Sequence, residues 1–384
     1  MAPKITATAK VGTLANDIDF PKGPQDTVSA LRWSPKADHL AAASWDGKVY
    51  IYDTTNVATG ASIRGAAALD GGQAPFLDCD FNQVSFDEFR AHMDVMVYAM
   101  DEGNMIAAAS ADQRIHIMDL NSPGQIMTLS GHTAPVRSIR WVDIPCVPNP
   151  TGLLVSGSWD KTLLVWDPRR QPNPVAKVTL SERVWAMDGS GPTLIAGTAN
   201  NKLQVFNLGK MTQGNAITPD HIIDKPVGDF PIKSLAVHSG GSFWAAGSVG
   251  GRAAFGYADP QKTDKTFTFR CHRVESQTKD KLTEVYSVNS VAFARPPDGG
   301  RSGEKIVLAT AGQDGTTNFW NIADRQRLQA YPSVGGSITA CGFNWDATLF
   351  AYAVGYDWGK GYAGNSADHP LGLKLRKVER SLLR

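Results

Sequence analysis

The sequence predicts an all-β fold, a seven-bladed propeller, from two observations: a short hairpin motif recurs along the chain, and its copies are spaced like the units of a repeat protein. The clearest copy, SGSWDKTLLVWD, runs from Ser156 to Asp167 and reads as two apolar strands joined by a tight turn at Asp160. A two-stranded ribbon is marginal alone, because one of its faces has nothing to pack against. Repeated small sheets stacked in a ring remove this difficulty.

Related stretches begin at positions 44 (SWDGKVYIYD), 110 (SADQRIHIMD), 198 (TANNKLQVFN), 248 (SVGGRAAFGY) and 312 (GQDGTTNFWN). The intervals between the central copies are close to the roughly 40 to 45 residues of a WD repeat, whereas the first and last intervals are longer. The chain therefore resembles a WD-repeat propeller that carries extra material in those two intervals. Six hairpins are clear and a seventh is altered, which predicts seven blades.

The N-terminal part of the chain is expected to lead into the ring and then close it. Residues 1–15 are small and polar and predict a disordered lead, and residues 16–384 are assigned to the propeller. Ile18 and Phe20 alternate with acidic residues, a pattern typical of an edge strand. Because an N-terminal strand can complete the last blade of a propeller, this segment is expected to close the ring.

The blades follow in order. In blade one, VSALRWSP, HLAAASW and KVYIYD predict three strands, and alternation places Val49 and Ile51 on the sheet face opposite Tyr50 and Tyr52. Blade two contains a predicted insertion near 82–104, where a turn of about 4 to 6 residues is usual. Blade four has a degenerate motif.

A long connection, 258–285, is predicted between blades five and six. In blade seven, SITACGFNWD, TLFAYAV and LGLKLRKV predict strands, and the glycine-rich GYDWGKGYAGNSADHP replaces the tight turn.

Composition excludes several classes of protein. The 38 Lys and Arg residues balance 37 Asp and Glu, so binding to nucleic acid or membrane would have to rest on a local patch. The four cysteines lie far apart without a CxxC pair, which disfavours a disulfide framework or a zinc site and favours a reducing compartment. No signal peptide or membrane-spanning run is recognised, so a soluble intracellular protein is expected.

Polar residues of the third repeat have two interpretations. His132, either Ser156 or Ser158, Asp160 and Trp166 fit the side-chain network of a WD repeat, in which an imidazole links the Asp turn to a strand hydroxyl. The same residue types also occur in Ser-His-Asp catalysis, but the repeat already accounts for their spacing.

No phosphate-binding loop, zinc helix or nucleophile elbow is present in the sequence. Cys271 and His272 form at most half of a metal site, and a packed core position is the favoured interpretation. The sequence therefore predicts no enzyme, no metal and no cofactor.

Local charge is more informative than net charge. Residues 252–281 include seven basic and four acidic residues, and residues 360–384 include six basic and two acidic residues. Such runs are commonly a solvated face, but they can also form a docking site for an acidic peptide or for phosphates. Arg252 favours the second interpretation, because an arginine fixed on a strand after Gly250 and Gly251 is suited to bidentate capture of a carboxylate.

Four segments carry a specific resemblance: GGRAAFGY, FTFRCHR, VYSVNSVAF and CGFNWDATLFAYAVGYDWGKG. Over nearly the whole chain from about residue 17, the sequence resembles the WD-repeat mRNA export factor family of the nuclear pore. The resemblance implies a seven-bladed propeller that binds a GLEBS-type segment, a short acidic peptide of a nucleoporin. It also implies that Arg252 and Arg270 meet the glutamates of that peptide, with Arg270 in place of the family's usual lysine.

The resemblance further implies a single-stranded RNA site, bound jointly with the nucleoporin, at Trp320, Arg325 and Arg327. An aromatic ring flanked by basic side chains is a suitable stacking and phosphate platform. Asn321 and Ile322 depart from the family pattern of an acid followed by a lysine, and Trp320 also fits the indole position of a blade network.

Alternative functions remain open at this point. The WD-repeat mitotic checkpoint protein is a close relative that shares the first three segments, so a checkpoint adaptor that binds a similar segment in checkpoint kinases is the second hypothesis. A propeller enzyme or generic scaffold using the central channel is the third. The leading hypothesis, a non-catalytic export factor, predicts a location in the nucleus at the pore or envelope, and also in the cytoplasm, with neither a membrane nor a small-molecule substrate as partner.

Overall fold

The computed structural model describes residues 10–57, 60, 62–82, 104–142, 152–168, 173–210, 217–275, 282–295, 305–366 and 368–383. These residues form seven four-stranded antiparallel blades, and the innermost strands of successive blades contact one another, the last with the first. The predicted seven-bladed propeller is confirmed. The predicted insertion in blade two corresponds to residues 83–103, which lie outside the described residues.

The strands are numbered in chain order, and each blade is given from its innermost strand outwards along the chain. Blade 1 contains β3 (Val28–Trp33), β4 (His39–Ser44), β5 (Lys48–Asp53) and β6 (Arg64–Asp70), and blade 2 contains β7 (Phe76–Phe81), β8 (Met105–Ser110), β9 (Arg114–Asp119) and β10 (Ile126–Ser130). Blade 3 contains β11 (Val136–Val142), β12 (Leu153–Ser158), β13 (Thr162–Trp166) and β14 (Ala176–Thr179), and blade 4 contains β15 (Val184–Ser190), β16 (Thr193–Thr198), β17 (Lys202–Asn207) and β18 (His221–Asp224). Blade 5 contains β19 (Ile232–Val237), β20 (Phe243–Ser248), β21 (Arg252–Tyr257) and β22 (Phe267–Arg270), and blade 6 contains β25 (Val288–Phe293), β26 (Val307–Gly312), β27 (Thr317–Asn321) and β28 (Gln326–Tyr331). Blade 7 contains β29 (Ile338–Phe343), β30 (Leu349–Val354), β31 (Gly372–Lys377) and β2 (Ile18–Asp19).

The hydrophobic core lies between the blades, because each sheet packs both faces against its neighbours. In β5, Val49 and Ile51 are buried against blade 2, whereas Tyr52 is buried against blade 7 with Tyr50 partly buried beside it. The predicted alternation is therefore confirmed. The second strand of each blade is covered on both faces, and in blade 1 it uses alanines, whose small side chains let adjacent sheets approach closely.

The N-terminal segment closes the ring, as predicted. Ile18 and Asp19 pair with β31, so this segment supplies the outermost strand of blade 7. Part of the segment expected to be a disordered lead is ordered instead: β1 (Lys10–Val11) pairs in parallel with β28 of blade 6. The edge of blade 6 offers unpaired backbone groups, and these two residues satisfy some of them. Residues 1–9 lie outside the described part of the chain.

The described residues of the connection predicted at 258–285 include regular structure. It contains the outer strand β22 and a further hairpin of β23 (Arg273–Glu275) and β24 (Thr283–Val285). Sequence periodicity missed β22 because its four residues are too few for a pattern. The described helices are short 3₁₀ turns, at Leu208–Lys210, Pro260–Lys265, Tyr362–Gly364 and Arg380–Leu382. None of the described helices has the length and apolarity needed to cross a bilayer.

The direction of the strands defines two faces of the ring. The upper face is the end at which the innermost strands begin and the second strands turn into the third, and the lower face is the opposite end. Arg252 starts β21 and is therefore at the upper face, whereas Asn321 ends β27 and is at the lower face.

Candidate functional site

In blade 3, the residues predicted to form a side-chain hydrogen-bond network are connected to one another. The two ring nitrogens of His132 lie 2.8 Å from Oδ2 of Asp160 and 2.7 Å from Oγ of Ser156, and the indole N–H of Trp166 donates to the same hydroxyl at 2.8 Å. The hydroxyl is that of Ser156, because Ser158 donates to backbone carbonyls instead. All of these bonds are internal to the blade.

The same arrangement fixes the charge of the turn aspartate. Burial of Asp160 opposes ionisation, but hydrogen bonds from His132 and Thr162 outweigh it and hold the pKa of the carboxyl below its usual range. His132 is buried and both of its nitrogens are engaged, so these side chains form a fully paired polar network inside the blade.

Blade 6 has a second complete network that the sequence reading did not recognise. The ring nitrogens of His272 lie 2.9 Å from Oδ1 of Asp314 and 2.9 Å from Oγ1 of Thr310, and the indole of Trp320 donates to Thr310 at 3.0 Å. Thr310, Asp314 and Trp320 repeat the spacing of the corresponding residues in blade 3, and this repetition was the available signal. His272 is therefore engaged within the blade, and no group of three metal-ligand side chains occurs among the described residues.

Trp320 is buried, whereas the RNA-binding role expected from the sequence would require an exposed ring. Trp320 is 4% exposed, its indole N–H is bonded to Thr310, and Phe269 packs against it with ring centroids 4.9 Å apart. A base can stack only on an accessible ring face. The structure thus assigns Trp320 to the core of blade 6, because the network needs its N–H at that point.

Arg252 and Arg270, the predicted peptide-binding residues, lie side by side. They are directly opposite each other in the register of β21 and β22, at the upper face of blade 5. Cβ atoms of directly opposed residues are about 5 Å apart, and like charges in such positions are destabilising. Neither arginine forms an ion pair with a carboxylate of a described side chain. Among the described carboxylates, Asp229 lies close enough to Arg252 for the two charges to interact, but its ion pair is with Lys225.

Arg252 is held in place by its surroundings. Its guanidinium lies over the ring of Phe230, with Cζ 5.6 Å from the centroid, and its Nε is buried without a described hydrogen-bond partner. Phe230 also packs against Gly250, where a Cβ would come within 2.3 Å of the ring. Glycine at 250 thus allows the aromatic ring to support the arginine.

A third arginine, Arg273, completes the cluster. Its Nε and Nη2 donate to the carbonyl oxygens of Gly251 and Gly250, at 3.2 and 2.8 Å, so it fixes the turn that precedes Arg252. Burial, together with the charges of Arg270 and Arg252, lowers the pKa of Arg273. Arg273 thus adds a third positive charge beside Arg252 and Arg270. We call Arg252, Arg270 and Arg273 the arginine cluster.

Arg325 and Arg327 lie near the lower face of blade 6, away from the arginine cluster. Arg325 is exposed and its guanidinium lies 4.4 Å from the centroid of Phe267, while Arg327 is partly buried. Asn321 and Ile322, which depart from the family pattern, are both buried, so neither side chain forms part of the surface between Arg325 and Arg327. The two predicted sites are therefore on opposite faces of the ring.

The second basic stretch, 360–384, is partly used inside the fold. Arg376 is buried and forms an ion pair with Asp17, and Lys374 pairs with Asp19. Both acids belong to the N-terminal segment that closes the ring. Within the described residues, this stretch stabilises ring closure and offers less free charge than the sequence indicates.

Comparison with known proteins identifies the family. The WD40 model "WD domain, G-beta repeat" matches residues 17–53 and 124–167. The "Poly(A)+ RNA export protein" of Schizosaccharomyces pombe is 36% identical over 97% of this chain and 94% of its own, and the "Mitotic checkpoint protein BUB3.1" of Arabidopsis thaliana is 30% identical over 92% and 91%. The solved "Structure of U3-55K" matches with a TM-score of 0.69 at 16% identity, over 96% of this chain and 100% of that one, a likeness of fold alone. The chain belongs to the WD-repeat mRNA export factor family.

Proposed function

We propose that the chain is a nuclear mRNA export factor, a non-catalytic propeller that captures a GLEBS-type acidic segment of a nucleoporin and engages single-stranded RNA. The export role is supported by family membership and by the relative named for poly(A)+ RNA export. The location in the nucleus, at the pore or envelope, follows from the same relationship.

The observation that carries the proposal is the arginine cluster. Two arginines opposite each other repel, and the repulsion is relieved when a carboxylate lies between them. A guanidinium binds a carboxylate through two parallel N–H donors, and Arg252 is partly exposed. The cluster is therefore suited to an acidic side chain of an extended peptide.

The energetics favour an anchoring role for Arg252 in particular. It is partly buried on a strand and is supported by Phe230 below, so little side-chain entropy is lost when a ligand binds. Arg270 is exposed and adds attraction that is more strongly screened by salt. We expect Arg252 to contribute more of the affinity.

The RNA contact is proposed at Arg325 and Arg327, without Trp320. Phosphates are the natural ligands of two basic side chains at an accessible rim, so the contact is electrostatic and carries weak sequence preference. Since the two arginines are on the face opposite the arginine cluster, the peptide and RNA can bind together. Arg325→Glu with Arg327→Glu is expected to weaken binding of an oligouridine without changing peptide affinity.

Titration of a fluorescent GLEBS-type peptide, followed by anisotropy, tests the peptide contact. Arg252→Glu should weaken binding at least about thirtyfold, since it places like charges in a buried contact. Arg64→Glu, at an exposed arginine of blade 1, is the matched control and should bind within about twofold of wild type. Equal affinities of wild type and Arg252→Glu would remove the proposed contact.

A checkpoint adaptor is the second candidate function, favoured by the relative named as a mitotic checkpoint protein. The same arginine cluster would receive a similar acidic segment from a checkpoint kinase. Co-purification separates the two functions: an export factor is recovered with nucleoporins from interphase cells, whereas a checkpoint adaptor is recovered with kinases from mitotic cells.

A further inference from the structure

The outer edge of blade 6 is covered by a further strand that comes from the N-terminal segment. β1 pairs in parallel with β28, with Lys10 opposite Gln329 and Val11 opposite Ala330. Among the described strands this is the only parallel pair, and blade 6 is the only blade with a fifth strand. The edge of this blade can therefore accept an extended segment alongside β28.

β1 is held weakly at this edge. It is two residues long with both side chains exposed, and Val11 is 81% exposed. The next residue, Gly12, donates its backbone N–H to the carbonyl oxygen of Ala330 at 2.8 Å. The segment around β2, by contrast, is fixed by the ion pairs of Asp17 and Asp19. Because segments with few buried contacts open locally at a small cost in free energy, β1 can leave the edge while β2 stays in place.

Two residues that follow β1 show what the edge can recognise. A Cβ atom built on Gly12 would lie 2.3 Å from carbons of the Tyr331 ring. This ring is buried and lies 3.6 Å from Cζ of Arg376, so it has little room to move aside. Leu14 is partly buried and packs on the core cluster between blades 6 and 7, which includes Tyr331 and Val378. The edge therefore accepts a glycine followed two residues later by an apolar side chain.

Part of the edge remains open below β1. β28 runs from Gln326 to Tyr331, and β1 is opposite only Gln329 and Ala330. Residues 326–328 are paired on their outer side by no described strand. Unpaired backbone N–H and C=O groups along an edge are a template for another strand. A longer segment would form more backbone hydrogen bonds at this edge than β1 does.

We propose that the outer edge of blade 6 is a strand-addition site for a partner protein, and that residues 10–14 occupy it as an internal competitor. The partner's segment is extended, runs parallel to β28 and carries a glycine followed two residues later by leucine or a similar side chain. Backbone hydrogen bonds along the edge provide the affinity, while the glycine and the apolar side chain provide the specificity. The competitor weakens the apparent affinity in proportion to the time that the edge is covered. The site is separate from the arginine cluster and goes beyond the proposed function.

The test uses the full chain and a fluorescent peptide with the chain's own sequence KVGTLAN, residues 10–16, followed by anisotropy. Gly12→Val should expel β1, because valine cannot pass the Tyr331 ring, and should bind the peptide at least about tenfold more tightly than wild type. Gly23→Val is the matched control, since a Cβ atom at Gly23 meets nothing within 4 Å, and it should bind like wild type. A peptide with valine in place of the glycine should bind none of the three proteins. Wild-type affinity in a folded Gly12→Val, or equal binding of the two peptides, would overturn the proposal.

Hydrogen exchange on wild type decides the question if Gly12→Val fails to fold. The backbone N–H groups of Gly12 and Phe20 donate to the carbonyl oxygens of Ala330 and Leu373, at 2.8 and 3.1 Å. The Gly12 amide should exchange at least about a hundredfold faster than that of Phe20, because β1 opens locally, and equal rates would overturn the proposal. Wild-type dimers that increase with concentration in light scattering would mean that a second copy supplies the strand, which would overturn a separate partner. Failure of the GLEBS-type peptide to bind wild type would overturn the proposed function and leave this site standing.

Discussion

Replacing Asp17 by asparagine is predicted to loosen ring closure, because this residue forms a buried ion pair. The Asp17 carboxylate accepts hydrogen bonds from Nε and Nη2 of Arg376 at 2.8 and 2.6 Å, and from the hydroxyl of Tyr352 at 2.6 Å. The two charged side chains are only 4% and 5% exposed. The Arg376 guanidinium also lies 3.6 Å from the centroid of Tyr331. Asparagine keeps the shape of the side chain and removes its charge.

The magnitude follows from what remains after the change. In Asp17→Asn the Arg376 cation stays buried without a counter-charge, and breaking a buried pair in this way costs about 3 to 5 kcal/mol. Asp19, two residues further along the same segment in β2, is the matched control. Its carboxylate is 2.7 Å from Nζ of Lys374, almost the same separation, but it is 72% exposed. An exposed pair contributes at most about 1 kcal/mol, so Asp19→Asn should change little.

Urea unfolding followed by tryptophan fluorescence measures both variants. The midpoint should fall clearly in Asp17→Asn and stay near the wild-type value in Asp19→Asn. The double variant Asp17→Leu with Arg376→Leu should recover part of the loss, since it removes both buried charges together. If the two asparagine variants unfold at the same urea concentration, burial is not what gives the Asp17 pair its strength, and the reasoning is refuted.

Three further predictions concern the blade networks and the arginine cluster. Trp320→Phe removes the N–H donated to Thr310 and should lower the free energy of unfolding by about 1 to 3 kcal/mol, with oligouridine affinity unchanged; weaker RNA binding at unchanged stability would contradict the core assignment. The Asp160 carboxyl has a lowered pKa in the fold, so it stabilises the folded state above the unfolded pKa of about 3.9, and this stabilisation is lost as the pH falls below that value. The difference in unfolding free energy between wild type and Asp160→Asn, measured by urea titration, should therefore shrink below about pH 4. A difference that stays constant with pH would refute this prediction. Gly250→Ala brings a methyl group onto the ring of Phe230 and should weaken GLEBS-type peptide binding roughly two- to fivefold by disturbing the cation–π support, with an unchanged melting temperature, whereas unaltered affinity would show that the ring does not position the arginine.

Much of the fold is readable from the sequence because each blade repeats a local pattern. Alternation in β5 and the turn at Asp160 are short-range features, and the ring follows once seven such units need neighbours to cover their faces. The His132 network could be predicted for the same reason, since its members recur at fixed spacing within one repeat. Arg252 and Arg270 could be selected from the family resemblance together with local charge.

The tertiary structure decided which charges are available. Sequence shows Arg376 and Arg252 alike as basic residues, but the first is buried against Asp17 from the far end of the chain and the second has no such partner among the described residues. It also decided that Trp320 is internal, because His272, Thr310 and Asp314 meet only when the connection from blade 5 folds over blade 6. Pairing across long chain separations leaves no periodic trace in sequence, so accessibility and charge compensation appear only in three dimensions.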